Sequence, residues 1–137
     1  MLLRYLSVVI GGAVGGILRY LLSVGTDSWT KGDSFPFITL LINLLGCLLL
    51  GTLYAVAESR AVNQVLLSGM TIGVLGSFTT FSTFCLQSTN LIASHPFLAV
   101  IYVIASMLGG PFLVWLGGKS TLIWLGAPRQ TTEEWTA

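Results

Sequence analysis

Residues 64–92 read QVLLSGMTIGVLGSFTTFSTFCLQSTNLI, an uncharged run too long for the apolar layer it is suited to cross. As one straight helix it would extend about 43 Å at about 1.5 Å per residue, against a hydrocarbon core of about 30 Å. The excess calls for a bend or a break, and the sequence marks a place for it. In GVLGSFTT, Gly73 and Gly76 lower helix propensity, while Ser77, Thr79 and Thr80 compete for backbone hydrogen bonds. A break there frees carbonyls that lack an i+4 donor, and within a membrane such groups need a partner in protein, water or a cation. The expected fold is an all-α integral membrane protein whose third helix is broken near residues 76–79.

Three other runs are long enough to span: residues 5–24, 37–57 and 97–118, of which only the first holds a charge, Arg19. The composition agrees, with 54% hydrophobic and 8% charged residues and a mean hydropathy of +0.88; soluble domains carry about 25% charged residues. A net charge of +1 offers no basic field for nucleic acid, and that class of partner is set aside. The first run is read as a retained helix, because Arg19 interrupts it and no small-residue cleavage site follows. Cys47 and Cys85 fall in apolar runs and read as packing thiols rather than as a disulfide or metal ligands. The connections DSWTKGDSFP, ESRAVN and SHP are short, so neighbouring helices run antiparallel and both termini lie on one side. Residues 1–137 form a single membrane domain with a polar, mobile tail at 129–137.

Polar and small residues inside these runs nominate contacts. Gly11, Gly12, Gly15 and Gly16, and again Gly69 and Gly73, form small-xxx-small steps that let helices approach closely. Four helices enclose no wide pore alone, so these faces are read as oligomerisation surfaces, the alternative being contacts within one subunit. Arg19 either snorkels to the interface or, being on the glycine face, lines a wet vestibule that attracts small anions. Asn43 shares a face with Thr39 and Gly46 and serves as interhelical glue, as pore lining, or both. Phe78, Phe81 and Phe84 are spaced three apart on one helical face, with Ser82 and Thr83 beside them. Ordinary packing accounts for such a row. So does a dehydrated anion held between the positive edges of rings and hydroxyl donors.

The segments GGAVGGILRY at 11–20, TLLINLLGCLLLG at 39–51, GSFTTFSTF at 76–84 and YVIASMLGG at 102–110 resemble the Fluc or CrcB fluoride channels over essentially the whole chain. The resemblance implies small four-helix subunits paired as an antiparallel, dual-topology dimer with two narrow fluoride pores and one central structural sodium ion. By position it implies sodium-ligating backbone carbonyls at Gly76 and Thr79, pore residues Asn43, Phe81, Phe84, Ser82 and Thr83, and a vestibule arginine at Arg19. It implies a plasma-membrane location and passive export of cytoplasmic fluoride. Departures are visible: Ser77 and Phe78 replace a glycine and a smaller apolar residue, Cys85 and Gln87 stand where relatives have serine and glutamate, and Gly110 and Val114 replace hydroxyls. Ser106 is left as the only aliphatic hydroxyl of the fourth run.

Charge placement bears on the pairing. Arg4, Arg60, Lys119 and Arg129 fall on one side and Lys31 alone on the other, which predicts a cytoplasmic amino terminus. An antiparallel pair then requires either inversion of this same chain or a paralogous subunit of opposite bias. The competing readings are a small proton-coupled multidrug exporter and a non-conducting membrane subunit. The exporter needs a carboxylate within a span, and none of the five acidic residues lies in one. Enzymatic function is not expected: no nucleophile-and-base arrangement surrounds the single histidine, His95, which precedes a proline in a turn.

Overall fold

The computed structural model describes residues 1–30 and 35–126, with side chains described for 1–26 and 35–126. Lys31, the tail at 129–137 and most of the first connection lie outside these residues. Helix α1 covers Leu2–Thr30 and α2 covers Phe37–Ser59. The third span, Gln64–Ser94, is composite: α3 (Gln64–Ser68), a π-helical stretch (Gly69–Leu75), α4 (Gly76–Phe78), a non-helical step, and α5 (Ser82–Ser94). Helix α6 covers Pro96–Leu125. Four spans among the described residues are long and apolar enough to cross a bilayer, and the chain is a multi-pass membrane protein with a bent third span.

Helices α1 and α6 run past the boundaries read from the sequence, residues 24 and 118. An apolar window measures what the hydrocarbon accepts, whereas a helix continues as long as its backbone bonds close. The hydroxyls that follow do not oppose this. Thr26 donates to the Leu22 carbonyl, Ser120 to Leu116 and Thr121 to Gly117, each folding back one turn. Helix α6 ends only at Gly126, whose φ of 62° lies in the left-handed region that glycine tolerates. At the other polar ends, the Asn63 side chain accepts the Val65 N–H at 2.8 Å to start α3, and Pro96 opens α6, where a missing N–H costs nothing.

The helices pair as α1 on the first half of the third span, α2 on α6, and α5 on α6. Glycine makes the first two pairings close. A Cβ on Gly11 would meet the Gly69 carbonyl and Val74, one on Gly15 would meet the Val74 carbonyl, and one on Gly73 would lie 2.7 Å from the Val8 carbonyl. On the other pair, Gly51 faces the Val114 carbonyl and Gly117 the Leu48 carbonyl. Backbones approaching this closely gain dispersion and weak Cα–H···O contacts, the terms that hold helices together when lipid removes any hydrophobic gain. This corrects the expectation that Gly11, Gly15, Gly69 and Gly73 form an oligomerisation face, because their small surfaces are consumed within the chain. Gly12 packs near Ser77, while Gly16 has no neighbour within 4 Å.

The end of the span is tied by polar groups. Arg4 donates through Nε to Ser68 Oγ at 2.7 Å, and Ser7 donates to the Val65 carbonyl at 2.8 Å. Beneath α5 and α6, Leu91, Ala99 and the fully buried Tyr102 form a small core with Phe84 and Phe35 against it.

Candidate functional site

The third span stops being helical at Thr79, whose ψ of 157° turns the backbone extended. What holds it open is Asn43 on α2. Its Oδ1 accepts the Thr80 N–H at 2.8 Å and its Nδ2 donates to the Thr80 carbonyl at 3.0 Å. One carboxamide thus replaces both hydrogen bonds that the helix would have given Thr80. This is the only side chain type besides glutamine that offers a donor and an acceptor side by side without a charge. Asn43 therefore acts as interhelical glue at the break itself, satisfying groups that would otherwise each cost about 1–3 kcal/mol if buried unpaired.

Two carbonyls are released in consequence. In a continuous helix the Thr80 N–H would donate to Gly76, but it goes to Asn43. The Thr83 N–H would donate to Thr79, but it goes to Thr80 Oγ1 at 3.3 Å. Gly76 and Thr79, the positions matched by resemblance to a cation site, are thus the two whose i+4 donors are diverted. Their oxygens are hard, neutral ligands of the kind sodium takes, so the residues present fit that ion. Thr80 also donates its hydroxyl to Thr83 Oγ1 at 2.9 Å, so one side chain starts α5 much as an N-cap does.

A cavity of about 410 Å³ lies between α2, the broken span and α6. Asn43, Gly76, Thr79, Phe81 and Phe84 all line it, together with Gly46, Thr71, Thr80 and Ser106, and none of its lining residues is charged. Gly46 is required there, since a Cβ would collide with the Thr79 side chain. Phe81 stands 78% exposed at the mouth, 6.0 Å from Phe84 with the rings tilted by 30°. Phe84 continues to Tyr102 at 5.2 Å, and Tyr102 meets Phe35 edge-on at 5.7 Å. The Tyr102 hydroxyl donates to Gln87 Oε1 at 3.1 Å, one turn beyond Phe84.

Other candidates sit apart. Phe78 is 7% exposed at the end of α4, so the break separates it from Phe81 and Phe84, and the single row of three rings expected from spacing does not form. Ser82 is exposed and Thr83 is engaged with Thr80; neither lines the cavity. Arg19 also lies outside the lining, with its Nε donating to the Ser77 carbonyl at 3.2 Å. It caps the carboxyl end of α4, where a cation meets unpaired carbonyls and the negative end of the helix dipole. Sequence reasoning passed over Thr80, Thr71 and the Tyr102–Gln87 pair. The signal for Thr80 was the Thr-x-x-Thr spacing at 80–83, which matches a cap bonding to a residue three on.

A family model described as CrcB-like protein, Camphor Resistance (CrcB), matches residues 6–118. A protein of Listeria monocytogenes named fluoride-specific ion channel FluC 2 is 43% identical over 115 residues, which is 82% of this chain and 86% of that protein. Proteins named fluoride-specific ion channel FluC are 38% identical in Shewanella baltica, over 82% of this chain and 90% of the relative. In Nitratidesulfovibrio vulgaris the figures are 39%, 83% and 93%. These relatives are named as channels rather than as enzymes.

Proposed function

The chain belongs to the CrcB family, and from that premise we propose that it is a passive, fluoride-selective channel of the plasma membrane that lets cytoplasmic fluoride leave the cell. The observation that carries the reading is the uncharged cavity in which Asn43, the broken span and the rings of Phe81 and Phe84 converge. Fluoride is small and strongly hydrated, so a pore must return most of what its water supplied. Ring edges and amide or hydroxyl donors do so without the fixed cation that would trap the ion, and a larger anion fits them poorly. The neutral conjugate acid enters from an acidic exterior and dissociates inside, after which the membrane potential drives the anion out through an open path.

Within this reading Phe81 and Phe84 present ring edges to the ion, and Asn43 keeps one N–H beyond the two bonds it makes to Thr80. Ser82 and Thr83, outside the cavity of a single chain, are assigned to the pore through a second subunit laid against the exposed Phe81. Arg19 at the α4 terminus keeps local potential favourable to anions at the vestibule. Sodium, when bound, supplies a positive centre that joins freed carbonyls; Gly76 and Thr79 of each subunit would hold it. The pair is antiparallel, built from two copies of this chain or from this chain and a related subunit of reversed charge bias. Purifying the chain expressed alone separates these, since a conducting homodimer removes the need for a partner.

The primary test is efflux from liposomes holding the purified protein, read with a fluoride electrode and repeated with chloride. Fluoride flux with little chloride flux is expected; none from a monodisperse preparation would sink the channel reading. Phe81→Ile is expected to abolish flux while leaving the assembly unchanged on size exclusion.

A further inference from the structure

The stretch Gly69–Leu75 is wound as a π-helix, a form rare over so many residues and common at functional sites. Its effect is visible in which residues share a face. Residues five apart in an α-helix lie about 140° apart around the axis. Here Gly69 and Val74, five apart, both seat on Gly11 of α1: a Cβ there would meet the Gly69 carbonyl and lie 3.1 Å from the Val74 nitrogen. On another face Thr71 and Gly76, also five apart, both line the cavity, and the Gly76 N–H reaches back to the Thr71 carbonyl. The two pairs belong to different surfaces, one against α1 and one toward α2 and α6.

We propose that the π-helical stretch is a positioning element for the channel site. Its extra residue lets the span keep its glycine seam on α1 while delivering Gly76, Thr79 and Thr80 to the cavity and to Asn43. With α-helical winding, one residue fewer occupies the stretch, and everything after it turns by about 100° and shifts by about 1.5 Å relative to that seam. Thr80 would then leave the Asn43 carboxamide, and the released carbonyls of Gly76 and Thr79 would turn away from the cavity. The two contacts on Gly11 explain why the wide winding persists: an α-helical span cannot place both Gly69 and Val74 there. The inference rests on the channel reading for its functional part but not for its geometry.

The test uses the full chain with Cys47 and Cys85 replaced by serine. Register is read by oxidative cross-linking of Gly12→Cys with either Ser77→Cys or Phe78→Cys; Gly12 would carry a Cβ 3.3 Å from the Ser77 hydroxyl. The 12–77 pair is expected to cross-link and the 12–78 pair not. Deleting Ile72, which is exposed and apart from the cavity, is expected to move the cross-link to the Phe78 position and reduce fluoride flux to background. Ile72→Ala, which keeps the residue and drops only its side chain, is expected to retain both the 12–77 cross-link and the flux. The proposal is overturned if the deleted chain still cross-links 12–77, or if it conducts normally after the cross-link has moved. It is equally overturned if the undeleted chain cross-links 12–78, a result that stands even when the deletion chain does not assemble. If the unmodified protein conducts no fluoride, the channel reading fails while the cross-links still report the register.

Discussion

The two halves of the third span are held by opposite means. Before Thr79, the span lies on α1 with backbone against backbone, where Gly11, Gly15 and Gly73 leave no room for a methyl group. After Thr79, it is held by a carboxamide, a threonine hydroxyl and a chain of rings from Phe81 to Tyr102. The first half is a rigid seam in which each polar backbone group has a helical partner. The second begins with a deliberate shortage, since two carbonyls have lost their donors to Asn43 and Thr80. A fixed seam is what makes the shortage useful, because a freed oxygen serves an ion only if it cannot drift back into a helix.

That contrast can be broken from either side, and the clamp is the larger target. Asn43→Ala removes both partners of Thr80 and is expected to destabilise by about 2–6 kcal/mol, taking each of two stranded groups at about 1–3 kcal/mol. Thermal unfolding in detergent would register the loss, and fluoride flux would fall with it. Asn43→Asp keeps the acceptor but loses the donor and adds a charge, so it is expected to rescue little. On the seam, Gly15→Ala pushes a methyl into the Val74 backbone and is expected to cost about 1–3 kcal/mol as overpacking. Gly16→Ala, its immediate neighbour with open space around it, is expected to stay within about 0.5 kcal/mol. Equal losses at the two positions would show that the seam is not where the chain packs.

The cap provides the smaller test on the other half. Thr80→Ala removes the hydroxyl that receives the Thr83 N–H and is expected to cost about 0.5–2 kcal/mol, with Thr80→Ser recovering most of it. Amide exchange at the start of α5 measures this directly: faster exchange at Thr83 is expected in the alanine variant. A Thr83 amide unchanged by the substitution would remove Thr80 from the role of cap.

Much of the site could be read from residue types, and the reason differs from one residue to the next. The break was legible because a span too long for the bilayer and rich in hydroxyls has few alternatives. Asn43 was legible as a polar residue that hydrocarbon would reject, but not as the partner of Thr80. That pairing joins α2 to a residue 37 positions on, and nothing local encodes it. The row of Phe78, Phe81 and Phe84 misled because spacing assumes one continuous helix, and the extended backbone at Thr79 ends that assumption. Arg19 was placed on the correct face of α1, yet its target, the Ser77 carbonyl, exists as an acceptor only because α4 stops there.

The sequence by itself determined the membrane, the four crossings, the uncharged interior and the approximate place where the third crossing must break. Those follow from hydropathy, length and the scarcity of charge, which act residue by residue. Only the tertiary structure decided that the glycines would be spent inside the chain, that Gly69–Leu75 would wind wide, and that Asn43 would take both bonds of Thr80. Each of these depends on two helices meeting in one register, and register is fixed by close contact between backbones that no single segment carries alone.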